Sequence, residues 1–212
     1  MPANMNIRMK VCGMRERDNI ARVSELRPDY MGFIFYKDTP RYVGDEFSIS
    51  SDFPSEIKRV GVFVNEATEV ILRYVEQFGL DLVQLHGNEP AGQCADLKSN
   101  GVGVIKIFAV GEDVDFGVTK GYVPHVDFFL FDTRGKYFGG NSKTFNWDVL
   151  QRYDQTVPFF LSGGINPTNA REILTLQGLN LYAVDINSGV EIRPALKDIH
   201  KIKEIRSILN IK

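Results

Sequence analysis

The amino-acid sequence predicts an α/β protein that folds as a single-domain (β/α)8 barrel, also called a TIM barrel, over residues 1–212. Short apolar runs alternate along the chain with segments of helical periodicity, which predicts parallel strands joined by crossover helices. The strand and helix pair repeats eight times, and eight repeats favour a closed barrel over an open sheet. No linker, low-complexity tract or change in composition indicates a second domain.

The predicted strands are apolar runs that are too short to form helices of their own. They cover residues 8–12, 31–35, 59–64, 82–85, 104–108, 128–131, 158–161 and 181–184. The sixth run has four large apolar residues in succession, Phe128-Phe129-Leu130-Phe131, a composition typical of a strand that is buried on both faces. We therefore expect protein to cover both sides of this strand.

Helices are predicted where apolar residues recur at spacings of three and four. These segments are 15–27, 67–78, 90–98, 114–122, 147–153, 167–176 and 196–209, and a longer loop over 36–52 follows the second strand. Pro167 suits the first turn of its helix because that position needs no backbone N–H donor. The segment 114–122 has the weakest helical signal.

The composition excludes several classes of protein. The 25 basic and 27 acidic residues nearly cancel and form no basic stripe, so we expect no nucleic-acid partner. We expect no membrane partner, because no apolar run has the length of a membrane span, and the first residues lack a secretory pattern. Two cysteines, Cys12 and Cys94, make no disulfide framework, and three scattered histidines make no metal site. We expect a cytoplasmic protein with reduced thiols, a monomer rather than a homodimer.

Asp132 stands out because it follows the apolar sixth strand directly. The carboxyl ends of barrel strands carry the active site, and an unpaired buried carboxylate costs several kcal/mol. Asp132 is therefore either a catalytic group or a structural one that caps the next element or pairs with Arg134 or Lys136.

Cys12 ends the first strand and stands beside Lys10, whose positive charge would favour a thiolate. Its alternative role is that of a small buried hydrophobe, which is the commoner fate of such a cysteine. Cys94 lies within a predicted helix, away from the strand ends, and we expect it to be structural.

Glycine pairs follow the last two strands. Gly163 and Gly164 come after the seventh strand, and Ser188-Gly189 comes after the eighth. Glycine lets successive backbone N–H groups approach an anion closely, and barrels often hold phosphate between these two loops. The segment 189–194 has room for a short extra helical turn there. The alternative is that the glycines only make tight turns between strands and helices.

Eight short motifs carry a resemblance to a known family. They are KVCGMR at 10–15, PRYV at 40–43, GVFVN at 61–65, VQLHGNE at 83–89, FDT at 131–133, GGNSKTFNW at 139–147, LSGGI at 161–165 and DINSGVE at 185–191. In this order they resemble the phosphoribosylanthranilate isomerases, (β/α)8 enzymes of tryptophan biosynthesis. The resemblance covers nearly the whole chain.

The resemblance implies an Amadori rearrangement of N-(5-phosphoribosyl)anthranilate, a small phosphorylated substrate. Asp132 matches the family's general acid and Cys12 its general base, and the chemistry needs no metal or cofactor. Arg41 matches the arginine that contacts the anthranilate carboxylate; its alternative role is that of an exposed charge beside Tyr42.

Further matches concern substrate binding. Gly163, Gly164, Ser188 and Gly189 match the phosphate loops, and Asp185 matches an aspartate near the anthranilate end. Gln84 and His86 belong to a family motif, but a structural histidine at a strand end is as good an interpretation as a substrate contact. Asn187 replaces a serine that the family commonly has, so we expect the loop to keep its backbone contacts and to lose a hydroxyl contact.

Three alternatives stay open. Indole-glycerol phosphate synthase and the aldose isomerase of the histidine pathway share the fold and its phosphate loops. The synthase would need a lysine at a strand end as its acid, but Lys10 and Lys106 lie within strands. The histidine-pathway enzyme is built from two similar half-barrels, and no such repeat is visible in the sequence. A barrel without activity that binds a phosphorylated ligand or a partner protein is the third, and the presence of both Cys12 and Asp132 argues against it.

Overall fold

The strands form a closed parallel barrel in the computed structural model, which describes residues 6–133 and 146–211. They are β1 (Arg8–Val11), β2 (Tyr30–Ile34), β3 (Lys58–Phe63), β4 (Leu82–Leu85), β5 (Gly103–Val110), β6 (Phe128–Thr133), β7 (Phe159–Leu161) and β8 (Leu181–Ile186). Each strand pairs with its neighbours in sequence, and β1 also pairs with β8, which closes the ring. The predicted fold class is confirmed.

Helices surround the barrel. The α-helices are α1 (Arg17–Ser24), α2 (Thr68–Phe78), α3 (Ala91–Ser99) and α4 (Ile199–Leu209), and 3-10 helices cover Phe116–His125, Trp147–Arg152, Ala170–Thr175 and Ser188–Val190. No helix within 6–133 or 146–211 is long and apolar enough to cross a membrane.

Three segments predicted as helices are 3-10 rather than α-helical, for local reasons. Phe116–His125 contains two glycines and Pro124, which disfavour an α-helix. Pro167 lies before the 3-10 helix Ala170–Thr175 and not in its first turn. The side chain of Asn166 accepts a 2.9 Å hydrogen bond from the Thr168 N–H, and this bond forms a turn at Pro167 instead.

The last predicted helix begins too early at residue 196. Leu196–Lys197 is instead a short strand, β10, that pairs with β9 (Glu191–Arg193) in an antiparallel hairpin. Helix α4 starts after Asp198, whose carboxylate accepts the backbone N–H of His200 at 2.9 Å and so caps the helix. The extra turn expected over 189–194 is present as Ser188–Val190, followed by the hairpin.

Alternation along the strands decides which side chains enter the barrel. On β6, Leu130 packs inside against Ile105 and Phe160, whereas Phe129 and Phe131 pack outside in the layer under the helices. Protein thus covers both faces of the strand, as its sequence predicts. Because side chains alternate, Asp132 follows Leu130 into the interior.

A buried ion pair anchors the loop that follows β4. The ammonium of Lys106 lies 2.9 Å from Oε2 of Glu89 and donates to the carbonyl oxygen of Gly87 at 2.7 Å. Glu89 also accepts the backbone N–H groups of Asn65 and Gly87, at 2.8 and 2.9 Å. Both charged side chains are at most 3% exposed, so the pair ties the loops after β3 and β4 to β5.

Removing one partner of this pair is expected to destabilise the fold strongly. Glu89→Ala leaves the Lys106 charge buried without compensation, which costs about 3–5 kcal/mol in the free energy of unfolding. Lys37→Met is the control, because the Lys37–Asp45 pair is exposed and screened by solvent, so its loss should change the free energy of unfolding far less. Urea unfolding followed by tryptophan fluorescence measures both; equal losses would contradict the role assigned to the buried pair.

Candidate active site

One cavity lies at the carboxyl ends of the barrel strands and encloses about 670 Å³, part of it open to solvent. Every site residue predicted from the sequence lines it: Cys12, Arg41, Asp132, Gly163, Gly164, Asp185, Ser188 and Gly189. Gln84 and His86 also line it. The strand ends therefore converge on a single site, as the barrel geometry requires.

Asp132 projects into this cavity from β6 and is 8% exposed. Burial raises the pKa of its carboxyl to about 7, and the 2.8 Å hydrogen bond from the Thr133 N–H opposes the rise only in part. A carboxyl with that pKa is protonated in a large fraction of molecules at neutral pH and can donate a proton. The structural alternative, pairing with Arg134 or Lys136, lies outside the described residues.

His86 is the nearest titratable neighbour of Asp132, with 3.8 Å between Nε2 and Oδ2. Burial, together with the positive charges of Lys10 and Lys106, lowers the pKa of His86 to about 3, so the imidazole is neutral. The amide nitrogen of Gln84 lies 2.9 Å from Nδ1. When that amide donates, Nδ1 is the acceptor and Nε2 carries the hydrogen that faces the carboxyl.

Cys12 enters the cavity from β1 and is 3% exposed. Burial raises the pKa of its thiol, and the charges of Lys10 and Lys197 oppose this effect without overcoming it. Lys10 favours the thiolate, as expected from the sequence, and makes it less costly to form than burial alone would allow. Burial outweighs this effect, so the neutral thiol is the favoured form in the resting site.

Lys10 and Asp185 form a buried ion pair near the Cys12 thiol and the Asp132 carboxyl. The ammonium lies 2.9 Å from Oδ1 of Asp185, and neither side chain exceeds 4% exposure. Burial alone would lower the pKa of Lys10, but the neighbouring Asp185 and Cys12 raise it above its usual value. The sequence marked Asp185 but assigned no role to Lys10 beyond its proximity to Cys12. The signal was present, since residues 10 and 12 share one face of a strand.

The glycines after β7 and β8 are required by close packing. Gly163 has φ +97° and Gly164 φ +67°, a region that favours glycine. A β-carbon on Gly163 would collide with Oγ1 of Thr133 and stand 3.0 Å from Oδ1 of Asp132. One on Gly189 would collide with the carbonyl oxygen of Ile165. These contacts support the tight-turn interpretation, and they also bring bare backbone to the wall of the cavity.

Arg41 reaches the cavity from the loop after β2 and is 12% exposed, so its interpretation as an exposed charge is wrong. Its Nε lies 2.9 Å from Oε1 of Glu191, and its Nη2 lies 2.7 Å from Oε2. Asn187 turns its side chain away from the glycine loops, because Oδ1 accepts a 2.6 Å hydrogen bond from Lys197. The sequence did not assign roles to Glu191 or Lys197.

The chain matches the family model described as N-(5'-phosphoribosyl)anthranilate isomerase over residues 9–207. The chain belongs to this isomerase family. A relative of the same name from Phocaeicola vulgatus is 44% identical over 190 residues, which are 90% of this chain and 91% of the relative. Membership makes the protein an enzyme, an isomerase of tryptophan biosynthesis.

Solved structures of the isomerase family have the same barrel. The Thermotoga maritima enzyme, described as mutually generated monomers of a dimeric isomerase, is 34% identical with a TM-score of 0.83, over 96% of this chain and 98% of that one. A second isomerase was solved with reduced 1-(o-carboxyphenylamino)-1-deoxyribulose 5-phosphate. It is 33% identical with a TM-score of 0.83, over 97% of this chain and all of the other. The family motif at 139–147 lies outside the described residues here, apart from Asn146 and Trp147.

Substitution of Gly163 tests whether the position of the Asp132 carboxyl depends on the absence of a side chain in the loop after β7. Gly163→Ala places a methyl group against Thr133 and Asp132, and displacing the carboxyl is expected to lower kcat/KM at least ~10-fold, since small misplacements are costly. Gly121→Ala is the matched control, because no atom lies within 4 Å of its added β-carbon. Steady-state kinetics, with circular dichroism to verify folding, measure both variants; full activity of folded Gly163→Ala would refute the constraint.

Proposed function

We propose that the chain converts N-(5-phosphoribosyl)anthranilate into 1-(2-carboxyphenylamino)-1-deoxyribulose 5-phosphate, with Asp132 as general acid and Cys12 as general base. The observation that carries this proposal is the convergence of both groups on one cavity, with burial raising the pKa of Asp132 to about 7. The isomerase solved with a reduced form of that aminoketose supports the choice of substrate.

The first step opens the furanose ring. Asp132 donates its proton to the ring oxygen, the carbon–oxygen bond at C1 breaks, and the anilino nitrogen supplies the electron pair that forms an iminium. A protonated carboxyl suits this step, and the raised pKa keeps one available at neutral pH. The ring oxygen becomes a hydroxyl on the open chain.

The second step moves a proton from carbon to sulfur. The iminium acidifies the C2 hydrogen, the Cys12 thiolate removes it, and the electron pair forms an enolamine. Tautomerisation of the enolamine, with a proton added at C1, gives the ketone. Lys10 supports this step because its ammonium hydrogen-bonds the sulfur and favours the charged form. The whole route consists of proton transfers, so no metal or cofactor enters it.

The two ends of the substrate are held by different parts of the cavity. Arg41 binds the anthranilate carboxylate, a task suited to the bidentate geometry of a guanidinium. The backbone at Gly163, Gly164, Ser188 and Gly189 receives the phosphate, where the absence of side chains leaves N–H groups accessible. Asp185 does not contact the substrate in this scheme; it keeps Lys10 charged beside the sulfur.

Family membership argues against the synthase and the histidine-pathway enzyme as primary functions. A turnover measurement distinguishes the isomerase from a barrel without activity. Monomeric assembly stays a prediction, and the Thermotoga maritima relative is described as dimeric. The cytoplasmic location likewise stays a prediction.

Turnover is the direct test of the assigned roles. We expect wild type to consume enzymatically generated phosphoribosylanthranilate, seen as the loss of its fluorescence. Cys12→Ser and Asp132→Asn are expected to reduce kcat at least ~10²-fold, since positioned acid and base groups contribute that much. Cys94→Ser is the matched control, because Cys94 is buried away from the cavity. A folded wild type without turnover would refute the activity, and a fully active Asp132→Asn would assign the acid elsewhere.

The pH dependence of kcat/KM follows from both raised pKa values, because the active form carries a protonated Asp132 and a deprotonated Cys12. Below about pH 7 the carboxyl stays protonated while the thiolate fraction rises about tenfold per pH unit, so kcat/KM rises. Above about 7 the two fractions change in opposite directions and kcat/KM levels off. The change of slope near pH 7 should be absent from the pH profile of the residual kcat/KM of Asp132→Asn. If the change of slope persists in this variant, it arises from the titration of another group.

A further inference from the structure

Three charged side chains lie together at the edge of the cavity. Arg41, Glu191 and Lys197 have exposed side-chain fractions of 12%, 6% and 0%. Arg41 lines the cavity, whereas Glu191 and Lys197 lie behind it on the β9–β10 hairpin and do not line it. Glu191 is therefore placed to act on a substrate only through Arg41, whereas the charge of Lys197 also acts on the Cys12 thiol.

Glu191 occupies one edge of the Arg41 guanidinium and leaves the other available. Its carboxylate accepts hydrogen bonds from Nε, at 2.9 and 3.2 Å, and from Nη2, at 2.7 Å. Over residues 6–133 and 146–211, Nη1 donates to no residue. A guanidinium has five N–H donors and can be paired along two edges, so the Nη1–Nη2 edge is free to bind a second carboxylate end-on.

Glu191 is itself held in place from the other side. Its Oε1 accepts hydrogen bonds from Lys197 Nζ at 2.7 Å and from the Ala195 N–H at 3.0 Å. Lys197 is fixed in turn, because its main chain makes two hydrogen bonds with the Asn19 side chain, at 2.7 and 2.9 Å, and its Nζ donates to Asn187 at 2.6 Å. Arg41 thus rests on a rigid support.

The sum of the charges matters for an anionic ligand. Arg41 and Glu191 alone would form a neutral pair, and the ammonium of Lys197 restores a net charge of +1 to the cluster. Burial lowers the pKa of Lys197 to about 8, with Glu191 opposing, so most molecules carry the charge at neutral pH. Burial alone would raise the pKa of Glu191, but the bonds from Arg41 and Lys197 outweigh it and lower the pKa, so the carboxylate is ionised.

We propose that Glu191 and Lys197 are positioning residues for carboxylate recognition. Glu191 fixes Arg41 so that its Nη1–Nη2 edge faces the anthranilate carboxylate, and Lys197 supplies the charge that keeps the cluster attractive to that anion. The inference rests on the role of Arg41 in the proposed function. It also explains how Arg41, which already pairs with Glu191 through Nε and Nη2, can bind a second anion.

The test compares Lys197→Met and Glu191→Gln by steady-state kinetics with phosphoribosylanthranilate. Both are expected to raise KM about tenfold or more, in line with the loss of hydrogen bonds to charged groups. Glu191→Gln, which leaves the Lys197 charge beside Cys12 in place, is expected to keep kcat within about threefold. Glu191→Gln removes a negative charge beside Arg41, so an effect through charge alone would lower KM, whereas lost positioning raises it. An unchanged or lowered KM in folded Glu191→Gln would overturn the proposal.

Two further variants complete the experiment. Lys201→Met is the matched control, because among the described residues its ammonium donates to the main-chain carbonyl oxygen of Glu191, at 3.3 Å, and to no carboxylate. Its KM should stay within about twofold of wild type. In an Arg41→Ala background, Glu191→Gln should add no further loss of kcat/KM, since it acts through Arg41.

The role of Arg41 and the positioning by Glu191 and Lys197 can fail separately. If Arg41→Ala leaves KM unchanged, the proposed role of Arg41 is wrong and the inference falls with it. If Arg41→Ala raises KM but both other variants leave it unchanged, or if the effect of Glu191→Gln persists in the Arg41→Ala background, only the positioning inference is overturned. Circular dichroism verifies folding, and Glu191→Gln, which is nearly isosteric, carries the test if Lys197→Met does not fold.

Discussion

The ion pair between Lys10 and Asp185 joins the first strand of the barrel to the last. These two residues are register partners on β1 and β8, the seam where the sheet closes on itself, and they lie 2.9 Å apart inside the barrel. Two buried ions are tolerated only when they compensate each other closely. The pair therefore places buried charge at the seam of the barrel, beside Cys12 and near Asp132.

Burial in that interior shifts the protonation of the proposed acid and base. It raises the pKa of both Asp132 and Cys12, which favours the neutral form of each group. For a proton donor this shift is favourable, but for a proton acceptor it is costly. The buried ammonium of Lys10 opposes this cost at Cys12, so the residue paired across the seam of the barrel also favours the charged form of the proposed acceptor.

The sequence predicted most of the barrel and its site because both follow from local rules. Alternating strands and helices give the fold, and strand ends give the position of Cys12 and Asp132. The hairpin formed by residues 191–197 was missed, because its stability comes from Asn19 and Arg41, far away in the chain. Leu196 continues the apolar periodicity of α4, so only the cap at Asp198 separates strand from helix. Whether residues 1–212 form one domain stays a prediction.

The close approach of Gly163 to Asp132 and Thr133 gives the two ends of the site a common wall. Gly163, in the loop proposed to receive phosphate, itself presents no side chain to the carboxyl proposed to donate the proton. If this backbone moves when phosphate binds, the movement would therefore act directly on the Asp132 carboxyl. In such an arrangement, affinity for a part of the substrate that does not react is converted into orientation of the part that does.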